Sequence, residues 1–121
     1  MSHVSTAATE ITDLNLLKKT IKDVGYSFEE NANISGRWIN EKADIVMNIQ
    51  GNKEVGFRKN EKGVYDLVGD FYGKSQDSIL AVINQRYFVN SMRSNMTKLG
   101  VKSITEQVLE DGSIKLRGIR A

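Results

Sequence analysis

Apolar and polar positions along this chain follow two periodicities, and the switches between them outline the elements. From Asp13 to Gly25 the step is helical: Leu14, Leu17, Ile21 and Val24 recur at intervals of three and four, and Lys18, Lys19 and Lys22 lie off that stripe. Thr12 or Asp13 stands where a side-chain oxygen can cap the first turn, and Gly25 where a left-handed residue ends the last. Before this helix, "SHVSTAATEI" alternates β-branched and small residues and reads as a first strand. After it the period drops to two and the chain reads as a meander. "NISGRWIN" gives a strand containing Trp38. In "ADIVMNIQG", Ala43, Ile45, Met47 and Ile49 share one face. "GNKE" turns the chain into "VGFRK", and "NEKG" turns it into "VYDLVGDFYG", whose two part-apolar faces mark a central strand.

Ser75 opens a second helix, with Asp77 well placed in its first turn against the helix dipole. Ile79, Leu80, Val82, Ile83, Tyr87, Phe88, Met92, Met96 and Leu99 carry its apolar side, and Gly100 ends it. At 1.5 Å per residue it would run about 35 Å, more than a small sheet can cover. It therefore kinks in "VNSM" or projects its last turns. The closing segment reads as a hairpin with Asp111-Gly112 as a two-residue turn, which sets Leu109 against Ile114, Gln107 against Leu116 and Glu106 against Arg117. The pattern implies a single α+β domain spanning residues 1–121: one antiparallel sheet with two helices on one face, in the order β-α-β-β-β-α-β-β.

Composition narrows the chemistry. The 121 residues include no proline and no cysteine; 40% are hydrophobic and 26% charged, ordinary globular usage. Without cysteine there is no thiolate nucleophile, disulfide or cysteine metal site within the chain. "MSHVSTAATE" has neither the basic nor the apolar region of a secretory signal, and no apolar run has the length of a membrane span. The net charge of +2 and pI of about 8.9 permit an anionic partner without requiring one.

Candidate reactive groups are few, and the expectation leans away from an enzyme and from any cofactor. His3 is the sole histidine, too few for a histidine metal site in one chain. Asp66 and Asp70 share a strand face, but at ~3.3 Å per residue they stand about 13 Å apart, too far for a shared proton. No phosphate-cradling glycine motif occurs. Gly73-Lys74-Ser75 at a helix start could hold an anion through backbone N–H groups and a lysine, so Asp70, Tyr72 and Lys74 mark a candidate small-ligand corner. Arg86, Tyr87 and Arg93, with Lys98 and Lys102, form the candidate nucleic-acid surface. Met92 and Met96 form the candidate protein-partner or self-association face, since methionine suits adaptable contacts. Tyr87 and Phe88 read as core within the helical stripe, with a partner surface as the alternative; Trp38 is a core anchor or an interface anchor.

The segments "ADIVMNIQG", "VGF", "GVYDLVGDFYG", "INQRY" and "VLEDGSIKL", in this order and spacing across nearly the whole chain, resemble a family of small open reading frames of unknown function in cyanobacteria and algal plastids. The resemblance implies a photosynthetic setting, in the cytoplasm or plastid stroma, and brings no catalytic residues with it. The favoured expectation is a non-catalytic interaction or assembly module. A weak nucleic-acid-binding domain is the alternative, and an anionic-ligand site at the Asp70–Ser75 corner is a third reading.

Overall fold

The burial of Leu17 and Ile21, both without exposed surface, sets the architecture, because their helix must lie flat on a sheet to hide them. A computed structural model of the chain describes residues 4–36, 39–71 and 75–120. Their elements are β1 (Val4–Ala7), α1 (Leu14–Asp23), β2 (Ser27–Ser35), β3 (Asn40–Ile49), β4 (Asn52–Lys59), β5 (Tyr65–Asp70), α2 (Gln76–Lys98), β6 (Val101–Val108) and β7 (Ile114–Arg120). The α+β class and the antiparallel layer expected from the sequence hold. The stretch between the helices contributes four strands. β1 to β5 form one sheet in the order β1-β5-β4-β3-β2, and β6 and β7 pair with each other as a separate two-stranded ribbon. β5 lies between β1 and β4, the interior place its two apolar faces required.

Both helices cover one face of the large sheet. Leu17 and Ile21 of α1 and Ile79 and Ile83 of α2 meet Ile45, Met47 and Ile49 of β3, Val55 and Phe57 of β4, and Leu67 of β5 in one buried cluster. Each fully buried Ile or Leu there contributes about 1.5–3 kcal/mol of apolar burial. The opposite face is closed differently. β3 pairs with β4 only from Ile45 onward, so the distal part of the β2–β3 hairpin has no further strand beside it. That arm packs on the open face, burying Ile34, Ile39 and Ala43 with Val46 and Val68. Asn31, at φ 49°, breaks the extended backbone of β2 where the arm begins. Gly56 sits beneath Ile34, and a Cβ there would collide with the Ile45 carbonyl, so the close approach needs glycine.

Several local expectations change. "NISGRWIN" is not one strand: β2 starts at Ser27 and ends at Ser35, and Gly36 N–H donates to the carbonyl of Ile39, just before β3. As an edge strand β2 keeps mostly polar residues, which is why periodicity missed its first half. The β3–β4 turn falls on Gln50-Gly51, both at positive φ (53° and 85°), rather than on "GNKE". The C-terminal hairpin is shifted by one residue: Val108 faces Ile114, Glu106 faces Leu116 and Thr105 faces Arg117. Leu109 N–H donates to the Ser113 carbonyl and Gly112 N–H to the Leu109 carbonyl, with Gly112 at φ 86°. The loop is thus three residues with a glycine bulge, and the expected Glu106–Arg117 cross-strand pair does not form. α2 runs unbroken from Gln76 to Lys98, so its length is resolved by projection; its later turns leave the sheet and carry the ribbon.

Candidate interaction surface

α2 turns 100° per residue, so its length presents different sides to different neighbours. Asp13 and Ser75 cap the two helices, accepting from Leu16 N–H and Ser78 N–H at 3.1 Å each. The inner side of α2 carries Ile79, Ile83 and the buried Asn90. Asn90 Nδ2 donates to Thr20 Oγ1 at 3.2 Å and to Asp23 Oδ2 at 3.0 Å, tying α2 to the end of α1. Burial raises the Asp23 carboxyl pKa, but hydrogen bonds from Lys19 and Asn90 and the charges of Lys19 and Arg86 outweigh it, and the net shift is below the ordinary carboxylate value.

Tyr87 is half-buried. Its hydroxyl accepts from the N–H groups of Thr12 (3.3 Å) and Asp13 (3.2 Å), clamping the start of α1. The ring therefore packs against the core. Phe88, one residue on, is turned away and is 65% exposed, against the expectation that it joins the core stripe. Met92 (43%) and Leu99 (66%) are exposed along the same outward side. Met96 is half-buried beneath the ribbon: a Cβ on Gly118 of β7 would fall 2.6 Å from its methyl group.

The arginines expected to face a nucleic acid are engaged within the fold. Arg86 Nη1 donates to both Glu106 oxygens at 3.0 and 3.1 Å, and Arg93 Nη1 donates to Glu106 Oε1 at 3.2 Å. Gln85 Nε2 adds a bond to the Gly112 carbonyl at 2.8 Å. These contacts seat the inner face of the ribbon on α2. The signal for them in the sequence was the lone glutamate in the body of β6, which the shifted register turns toward the helix.

On the other flank of α2 a groove of roughly 710 Å³ opens between residues 8–12 and the helix. Ile11 and Tyr87 form part of its lining, with Thr9, Asn84, Ser91 and Phe88; exposed Glu10 is the charged group among its lining residues. Residue spacing gave no hint of this groove, because it joins the β1–α1 connection to a helix more than seventy residues later.

At the Asp70–Ser75 corner, Tyr72 and Lys74 lie outside the described residues, as do His3 and Trp38. Asp70 is 1% exposed and packs against Gly36. The structure thus brings Arg86, Tyr87, Met92, Arg93 and Met96 onto one helix but on different sides of it, and leaves Asp70 apart from them. Among the described residues no cluster of three or more His, Asp or Glu side chains could hold a metal, and no helix is long and apolar enough to cross a membrane.

Comparison with known proteins agrees with the sequence motifs. The chain is 33% identical to the "Uncharacterized protein ycf35" of Guillardia theta and 32% identical to that of Pyropia yezoensis, over 96% of this chain and 94% of each relative. No solved structure matches it. A family model described as "Protein of unknown function (DUF1257)" matches residues 20–117, and the chain belongs to that family.

Proposed function

We propose that this chain is a non-catalytic interaction or assembly module of the cytoplasm or plastid stroma of a photosynthetic cell. The observation that carries this is the outward row of α2, where Phe88, Met92 and Leu99 stand exposed beside the Ile11–Tyr87 groove. Soluble domains scatter single apolar residues over their surfaces, but a contiguous row beside a groove marks a contact site. A long helix carried past its own sheet also presents such a row without obstruction. The test pairs light scattering on the isolated protein with affinity capture from native extract, wild type against Met92→Lys. The module reading expects the substitution to abolish an association while the melting temperature stays unchanged. An indifferent Met92→Lys in both measurements would remove the support for it.

One observation favours weak nucleic-acid binding as a second reading, at a different place from Arg86 and Arg93. The outer face of the ribbon pairs Gln107 with Lys115 and Thr105 with Arg117, all exposed and with no carboxylate among them. Two phosphate contacts predict a slope of roughly −2 for log K against log salt on duplex nucleic acid. A Lys115→Ala/Arg117→Ala double variant that binds a labelled duplex as wild type does would exclude this reading.

A further inference from the structure

We infer that the occupant of the α2 face is a second copy of this chain, packed antiparallel across a two-fold axis at Phe88; this rests on the interaction-module reading and names its partner. Three features of the face point to a copy. First, between Ala81 and Asn95 the outward side is made of Ala81, Asn84, Phe88, Met92 and Asn95, none of them ionised. A two-fold contact sets each patch against itself, so any charge near the axis would meet its own sign. A charge-free centre avoids that conflict, whereas a foreign charged partner would find no complement there.

Second, the charges that do flank this stretch are of opposite sign and nearly equidistant from Phe88: exposed Asp77 in the first turn and exposed Lys98 in the last. An antiparallel copy centred on Phe88 brings Asp77 of each chain to Lys98 of the other, twice. The helix dipoles oppose in the same arrangement. A parallel pairing would put Asp77 against Asp77.

Third, the protruding ring and the groove lie side by side. Phe88 lines the groove formed with Ile11 and Tyr87. An axis lying in the interface and perpendicular to α2 keeps the grooves of both copies on the same flank, so the two Phe88 rings meet at the axis and the two grooves face each other beside them. One helix row alone falls short of the ~800 Å² per partner of a stable interface. Ala8, Thr9 and Thr12 of the groove supply further area, and Glu10 of each copy is the one lining charge that opposes the pairing.

Sedimentation equilibrium across roughly micromolar to millimolar chain tests this. Wild type is expected to dimerise. Phe88→Glu and, separately, Met92→Glu are expected to weaken the dimer about 100-fold or more with an unchanged far-UV spectrum, since both side chains are exposed. Asp77→Lys should weaken it several-fold, and adding Lys98→Asp should restore it. Phe88→Glu mixed with Phe88→Lys should form a heterodimer although neither associates alone. A wild type monomeric throughout, or a dimer indifferent to both glutamate substitutions, overturns the second-copy proposal. In that event the module reading stands if Phe88→Glu loses a partner captured by wild type from native extract, and falls with the proposal if nothing is lost.

Discussion

The five-stranded sheet and the two-stranded ribbon are both antiparallel β-structure joined by α2, yet they are held by different forces. The sheet is sealed on both faces, by two helices on one side and by its own β2–β3 arm on the other. The ribbon has one face on α2 and the other in solvent, where Ile119 is exposed. Apolar burial carries the first. Two arginines on one glutamate, an amide-to-carbonyl bond and the Met96–Gly118 contact carry the second. A two-stranded hairpin is marginal alone in water. The ribbon therefore depends on α2 far more than α2 depends on the ribbon, and it should open locally well below the global unfolding free energy.

Substitutions can separate the two regimes. The largest effect belongs to Ile83→Ala, which empties a fully buried site beneath α2 and should cost about 3 kcal/mol in chemical denaturation, lowering the protection of sheet and ribbon together. Asn90→Ala removes the buried donor to Thr20 and Asp23, and about 2 kcal/mol of stability should go with it by the same measurement. Glu106→Gln should change global stability by less than ~1 kcal/mol, as half-exposed ion pairs do, while hydrogen exchange accelerates over residues 101–120 alone. If Glu106→Gln lowered global stability as much as Ile83→Ala, the ribbon would be part of the core and the contrast would fail.

The smallest effect is a pH dependence. The folded-state pKa of Asp23 lies below its ordinary 3.8, so the unfolded chain takes up its proton first as pH falls. The contribution of Asp23 is complete above about pH 3.8 and fades as pH drops through the lowered folded value. Asp23→Asn should flatten that part of an acid titration of stability and leave neutral stability slightly reduced.

What the sequence disclosed follows the same contrast. Where one face is buried, periodicity located the structure: the Ile45–Met47–Ile49 row, the α1 stripe and both helix caps are where they were expected. It faltered where burial is partial. β2 hides little, so its first half carries no alternation to read. The ribbon register depends on one bulged glycine, and moving the loop from two residues to three exchanges every cross-strand partner. Phe88 misled for a simpler reason. α2 is apolar on more than one side, and a residue five positions after Ile83 stands about 140° around the helix from it. The groove and the Glu106 clasp were invisible because each joins segments whose proximity only the folded chain creates.

The phenolic clamp of Tyr87 on Thr12 and Asp13 spans 75 and 74 positions. On a ribosome, the N-terminal strand and helix emerge long before that hydroxyl does. Until α2 has been made and has docked, the first turn of α1 lacks those two acceptor contacts and the apolar underside of the sheet is half covered. The nascent chain must therefore wait through most of its own translation before it can close, with its stickiest surface open to chaperones in the interval.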